Sequence, residues 1–427
     1  MSKEEFIKYA NSFQAIARLR LESITELMNM FDNPQDKLKF IHVAGTNGKG
    51  SVCCFLQNIL TDAGYKTGKY ISPNMIRVNE RITIDGKEIS DYDLNSILMQ
   101  VEEQAKNVEK KLGEMPTQFE IWTAAAFLWF AKNNCDYVVL ETGLGGVRDA
   151  TNVIKNPVIT VITRIAKDHM NFLGDTLAEI AEQKAGIIKK SIYGGCTITL
   201  EQDEGVSSIF SETAKKCGND FIVVDKAVLH PYNGKNEVFD YKNINNIEMS
   251  MIGTHQTENA ALAIECALKL NIEEKYIRSG IYKAKNIGRL EILSEKPFIL
   301  FDGAHNKNGM HSLAQAIKRY YPDRNINFFM AFMKDKDILS AVRELKPACN
   351  NETRFYTIEV KDNPRSENPG FLADILKSEG YNTIVCEDIK SAEKYFDVYD
   401  RLNIICGSLY LYKDFMEDCA PGLTKTN

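Results

Sequence analysis

The chain has 427 residues, 44% hydrophobic and 26% charged, with a formal net charge of −6. This length exceeds what one hydrophobic core serves, so roughly two or three domains are expected. The longest apolar run, near Thr123–Ala131, is far too short to span a membrane, and the acidic balance without a basic stripe argues against nucleic acid as a partner.

The N-terminus, Met1 to Glu5, lacks the basic-then-apolar order of a secretory signal. Ten cysteines are scattered, with Cys53 and Cys54 adjacent and no C-x-x-C pair. A cytoplasmic location with reduced thiols serving as small core hydrophobes is expected, rather than a disulfide framework or a catalytic thiol.

The first predicted element is a strand over Lys39–Ala44. It runs into a glycine-rich turn and then a helix over Val52–Ala63. The turn holds Gly45, Thr46, Asn47, Gly48, Lys49, Gly50 and Ser51. Such a turn offers backbone N–H groups and a helix N-terminus to a phosphate, with Lys49 as a point charge. In the strict P-loop pattern the hydroxyl residue follows the lysine directly; here Gly50 intervenes before Ser51. An ordinary glycine-rich loop is the alternative.

Gln104–Lys111 reads as the solvated face of a helix. A strand at Tyr137–Glu141 ends on Glu141, a carboxylate that must be paired or bound to a metal if buried. Near a phosphate loop Mg²⁺ is the economical partner, and a structural salt bridge is the alternative. A strand over Val158–Thr163 leads to Asp168 and His169, which serve either near that metal or structurally. Thr176 and Glu179 have capping-box spacing, so a helix starts there. Lys184 lies on its apolar side; taken alone it reads as a snorkelling surface lysine.

Residues 225–250 are polar and asparagine-rich and read as surface hairpins or loops. The pattern resets around Ser294–Pro297, which divides the chain into domains 1–293 and 294–427. The second domain's predicted strands are Phe298–Phe301, Ile326–Phe332, Arg354–Val360, Thr383–Cys386 and Leu402–Cys406. Alternation of strands and helices makes the fold class α/β: a P-loop parallel-sheet domain plus a smaller, Rossmann-like C-terminal α/β domain. Asp302 and His305 end the first strand of the second domain, with Arg289 shortly before it. A cleft between the domains is the expected ligand site.

Taken together, these segments resemble the folylpolyglutamate synthase and dihydrofolate synthase family, which belongs to the Mur-type ATP-dependent amide ligases. The resemblance rests on His42–Ser51, Ser72-Pro73 with Glu80-Arg81-Ile82, Leu140–Asn152, Asp168-His169 and Glu182–Ile187. It continues through His255-Gln256 with Asn259-Ala260, Gly288–Glu291, Asp302–Asn306 and Asp335–Asp337.

The resemblance implies an ATPase-type first domain and a glutamate-ligase second domain. The reaction it implies is phosphorylation of a folate or dihydropteroate carboxylate by ATP, followed by attack of the L-glutamate amine. By position, Lys49 and Ser51 would hold the phosphates with the loop amides, and Ser51, Ser72, Glu141 and His169 would bind Mg²⁺. Lys184 matches a lysine that this family carbamylates. Lys49, Glu141, His169 and Lys184 form the implied catalytic set. Asn259, Arg289, Asp302 and His305 would contact the nucleotide; Ser72, Pro73, Arg81 and Asp149 would lie on the acceptor side. A monomer acting on small molecules is implied.

The chain departs from the family pattern at Asn74, Val147-Arg148, Gln183 and Asn286-Ile287. These departures bear more on the acceptor than on the reaction type. Other Mur-type ligases, with a different acceptor, usually carry an extra N-terminal domain, and only about forty residues precede this loop. A nucleotide-binding regulatory ATPase would not need Glu141, His169 and Lys184 together.

Overall fold

A computed structural model describes residues 20–422. They form two compact units. One contains the chain up to Val228 with Asp240–Glu248 and Glu258–Ala284; the other contains Leu229–Phe239, Met249–Thr257 and the chain from Lys285 onward.

The first unit is organised by an eight-stranded sheet. Its strands are β1 Phe40–Ala44, β2 Thr67–Tyr70, β3 Ile82–Ile84, β4 Lys87–Glu88, β5 Tyr137–Glu141, β6 Pro157–Ile162, β7 Cys196–Thr199 and β8 Asp220–Val223. Their order is β4-β3-β2-β5-β1-β6-β7-β8. Only the β2–β3 and β3–β4 pairings are antiparallel. β1 lies inside the sheet with all five residues buried. A strand covered on both faces reads as one apolar run, which is why β1, β5 and β6 were visible in sequence.

The sequence did not reveal β2, whose four residues Thr67, Gly68, Lys69 and Tyr70 are all buried despite their polar composition. Gly68 is required there, because a Cβ would come 2.7 Å from the Phe130 ring. The apolar run near Thr123–Ala131 lies in a helix, Gln118–Lys132, opened by a Thr117/Glu120 capping box. The helix Asp91–Leu112 buries Leu94, Ile97, Leu98, Val101, Ala105 and Val108 at helical spacing. Its charged residues between 104 and 111 form the outer face, as expected. All ten cysteines are free; eight are buried, including Cys53 and Cys54 in the helix Lys49–Asp62.

The asparagine-rich stretch expected as hairpins or loops forms a small sheet of β9 Val228–Leu229, β10 Glu237–Tyr241 and β11 Ile244–Met249. Phe239, Tyr241, Ile244, Ile247 and Met249 are buried, so alternation hides the apolar half of a polar-looking segment.

The second unit holds a six-stranded sheet: β12 Glu291–Glu295, β13 Phe298–Phe301, β14 Ile326–Met330, β15 Arg354–Thr357, β16 Asn382–Val385 and β17 Leu402–Cys406. The order is β12-β13-β17-β14-β15-β16. β12 runs antiparallel to β13, so the reset at Ser294–Pro297 falls in a hairpin turn of this unit. The remaining pairings are parallel.

Candidate nucleotide and acyl-transfer site

The loop after β1 is shaped by contacts that only glycine permits. Gly45 has φ 147°, and a Cβ there would lie 1.8 Å from Thr163 Oγ1. Gly48 has φ 93°, and its Cβ would lie 2.3 Å from Asn259 Oδ1. The helix Lys49–Asp62 begins directly after it, three residues earlier than the sequence suggested. Its first turn therefore includes Lys49, Gly50 and Ser51, with their N–H groups at the helix N-terminus. Thr163 ties the loop to β6 by donating to Asn47 O at 2.7 Å. Thr46 N donates to Arg164 O at 2.9 Å, and Thr46 Oγ1 exchanges hydrogen bonds of 3.0 Å with Ala166 O and Ala166 N.

Two lysines converge on this loop. Lys49 Nζ lies 3.2 Å from Gly45 O and 3.3 Å from Thr46 O. Lys184 Nζ donates to the same Gly45 O at 2.8 Å. Lys184 is buried in the helix Leu177–Ala185, whose Thr176/Glu179 capping box forms as expected. It is therefore not the snorkelling surface lysine of the alternative reading. Burial, reinforced by the Lys49 charge, lowers its amine to about 7.

Glu141, at the end of β5, is buried, and its Oε2 accepts from Ser72 N at 3.2 Å. Ser51 is buried in the first turn of the loop helix. His169 is exposed, with φ 51°, at the start of a four-residue helix, Met170–Leu173. Among the described residues no three His, Cys, Asp or Glu side chains group as a metal cage. One buried carboxylate, with the Ser72 backbone beside it, suits Mg²⁺, a hard ion that takes few protein oxygens and completes its shell with water and phosphates.

Arg81 Nε donates to Asn74 Oδ1 at 2.8 Å, and its guanidinium lies 5.5 Å from the Trp122 ring centroid. Pro73 follows Ser72 through a cis peptide bond. Asp149 is buried within its loop. Its Oδ2 accepts from Leu144 N at 2.8 Å and its Oδ1 from Thr151 N at 3.1 Å and Thr151 Oγ1 at 2.5 Å. Burial raises its carboxyl, and these bonds oppose the rise. Val147 N donates to Gln183 O at 2.8 Å, so the same loop is pinned to the helix that carries Lys184.

The second unit gathers Arg289, Asp302 and His305. Asp302 is buried; its Oδ2 accepts from Leu290 N at 2.9 Å and its Oδ1 from Ala304 N at 2.8 Å. His305 Nδ1 lies 2.8 Å from Gly303 O, so that nitrogen carries the proton. A Cβ on Gly303 would lie 2.9 Å from Arg289 Nη1.

Sequence reading missed Thr163, which it took only as a strand residue, although the hydroxyl closes the glycine-rich loop. It also missed Gly407, where φ is 95° and a Cβ would lie 2.2 Å from Ala331 O. A glycine immediately after the apolar run Leu402–Cys406 was the available signal.

Residues 43–267 match the Mur ligase middle domain, and residues 288–402 match the Mur ligase glutamate ligase domain. The chain is 37% identical over 412 residues to the dihydrofolate synthase/folylpolyglutamate synthase of Bacillus subtilis, covering 92% of this chain and 93% of that protein. It is 31% identical over 435 residues to the folylpolyglutamate synthase of Lacticaseibacillus casei, covering 96% and 97%. A Mycobacterium tuberculosis folylpolyglutamate synthase solved with ADP and AMPPCP superposes with a TM-score of 0.89 at 26% identity, covering 97% of this chain and 98% of that one.

Proposed function

The chain belongs to the Mur ligase family, in its folylpolyglutamate synthase and dihydrofolate synthase branch, and from that premise we propose that it uses ATP to join L-glutamate to a folate or dihydropteroate. In this reaction an acceptor carboxylate oxygen attacks the γ-phosphorus of ATP, and ADP leaves. The glutamate nitrogen then attacks the acyl phosphate carbon, inorganic phosphate departs and an amide remains.

The observation that carries the reading is the meeting of Lys49 and Lys184 at Gly45 O within a helix-opening glycine loop. In the proposed complex, the amides from Gly45 to Ser51 and the Ser51 hydroxyl hold the phosphates. Lys49 exchanges two long carbonyl contacts for a phosphate oxygen, a stronger, charge-assisted partner. Glu141, Ser51 and Ser72 suit Mg²⁺, with His169 as a further candidate; when bound, the ion would offset charge on the transferring phosphoryl group. Asn259 lies against the Gly48 turn. For Arg289, Asp302 and His305, nucleotide contact rests on the resemblance alone. Ser72, Pro73, Arg81 and Asp149 are assigned to the acceptor.

A lysine amine near 7 has a substantial neutral fraction at physiological pH, the form that takes up CO₂. Carbamylated Lys184 would turn repulsion from Lys49 into attraction. Intact mass with and without bicarbonate tests this. Free thiols and net acidity support a cytoplasmic enzyme acting on small molecules rather than on nucleic acid, and a monomer is proposed from the resemblance alone. None of the described helices is long and apolar enough to cross a membrane.

The test is ADP release with Mg-ATP and L-glutamate, comparing dihydropteroate with tetrahydrofolate. Activity with dihydropteroate identifies a dihydrofolate synthase, bifunctional if tetrahydrofolate also works. Activity with tetrahydrofolate alone identifies a tail-extending enzyme. ADP release that needs neither glutamate nor a folate would overturn the ligase reading.

A further inference from the structure

The glycine loop leans on the segment Thr163–Ala166, which follows β6 and belongs to no helix or strand. Thr163 Oγ1 donates to Asn47 O at 2.7 Å, and Thr46 N donates to Arg164 O at 2.9 Å. Thr46 Oγ1 bonds both Ala166 O and Ala166 N at 3.0 Å. Thr163 N donates to Ala44 O, at the end of β1, at 2.8 Å. The loop is therefore placed only as well as this segment is placed.

On the side away from the loop, one side chain holds the segment. β7 ends at Thr199, paired with Ile162, so the ladder beside β6 stops one residue before Thr163. Gln202 continues it. Its Nε2 donates to Thr163 O at 2.9 Å, and its Oε1 accepts from Ile165 N at 3.2 Å. A carboxamide carries a donor and an acceptor, as a peptide group does. Here it takes the carbonyl of one residue and the amide of the second residue on, as a residue of a parallel neighbouring strand would. Among the described residues, every backbone hydrogen bond of Thr163–Ala166 runs either to Ala44 and Thr46 or to Gln202.

Arg164 adds a tie through its side chain, with Nη1 donating to Glu201 O at 2.7 Å and Nη2 to Glu258 Oε1 at 2.8 Å. The Arg164–Glu258 pair is 33% and 46% exposed, and pairs so open to water hold little. Thr163 and Ile165 are buried. Without the Gln202 carboxamide, a carbonyl and an amide lose their partners in the interior. They regain partners only if the segment moves, and the loop moves with it.

We propose that Gln202 is a positioning residue for nucleotide binding: its carboxamide stands in for a missing strand residue and, through Thr163–Ala166, holds the glycine loop in the shape that receives phosphates. The inference rests on the nucleotide reading of that loop given above.

Equilibrium binding of Mg-ADP to the full chain tests this without turnover. Gln202→Met, similar in length and unable to make these bonds, should weaken ADP binding about tenfold, the size of one or two lost hydrogen bonds. Gln202→Glu keeps an acceptor for Ile165 N and loses the donor to Thr163 O, so it should fall between Met and wild type. In steady state the ATP KM should rise, with the glutamate and acceptor KM values unchanged.

Asn219→Leu is the structural control. Asn219 is another carboxamide beside β7, with Nδ2 3.1 Å from Lys189 O and 3.4 Å from Thr197 Oγ1. Its loss should lower the thermal midpoint and leave ADP affinity unchanged. If Gln202→Met binds ADP as the wild type does, or if both variants lose affinity in step with stability, Gln202 only supports the fold and the proposal falls. A wild type that binds no ADP would overturn the nucleotide reading and this inference with it. A wild type that binds ADP but is silent with every acceptor would sink the ligase reading alone, and the binding comparison would still decide the role of Gln202.

Discussion

The two sheets finish their site-bearing strands with opposite charges. After β1, two lysine amines, Lys49 and Lys184, rest on a backbone carbonyl, Gly45 O. After β13, an anion, Asp302, accepts the backbone amides of Leu290 and Ala304. A carboxylate between two N–H donors is well satisfied, and it shapes its own turn. Two lysine amines sharing one carbonyl repel each other whenever both are protonated, which is one cause of the lowered Lys184 amine, and an anion would serve them better. The first arrangement is poised for a phosphate; the second is closed on itself.

The largest expected effect tests the first arrangement directly. Lys49→Ala should lower turnover by about 10²–10³-fold, with a nearly unchanged urea midpoint. Full activity would show that the lysine belongs only to the loop. Gly45→Ala should cost at least about 2 kcal/mol of stability, from a strained φ and a clash with Thr163. Gly303→Ala is a contrast, because it meets the flexible ends of Leu409 and Arg289. Its cost should stay below about 1 kcal/mol, and denaturant titration of both variants would measure the gap.

Asp302→Ala strips two buried amides of their acceptor and should cost about 1–3 kcal/mol. If it instead reduces turnover more than Lys49→Ala does, the contrast between the strand ends fails.

A further effect concerns pH. The folded Lys184 amine sits near 7, below its ordinary 10.5. Between those values the unfolded chain binds the extra proton, so this group's contribution to stability rises with pH. Thermal midpoints of the wild type and Lys184→Met should therefore diverge from pH 7 to 9, in favour of the wild type. Parallel curves would mean that the amine is not depressed.

Much of this contrast was legible in the chain. The runs Phe40–Ala44, Tyr137–Leu140, Phe298–Phe301 and Leu402–Cys406 are mostly apolar, and each is followed directly by a glycine or an acidic residue. Strands such as β2 and β7 were hidden because Thr, Gly and Lys are buried there through hydrogen bonds and close packing, which composition does not announce. Gln57 Nε2, for example, donates to Thr83 Oγ1 at 2.8 Å beside β2. The candidate site was legible as ordered motifs, but the motif could not say which of its residues face a ligand and which brace the loop. Asp149 and His42 both sit in strong motifs, and both are buried. The burial of Lys184 depended on a helix register that only packing decides.

The free, mostly buried cysteines make the protein its own stopwatch. Cys53 and Cys54 lie within two turns of the phosphate loop and are 0% and 3% exposed. A thiol reagent reaches them only when the loop helix opens. Their labelling rate would record how often that helix breathes, and an added nucleotide that seats on the loop should slow it.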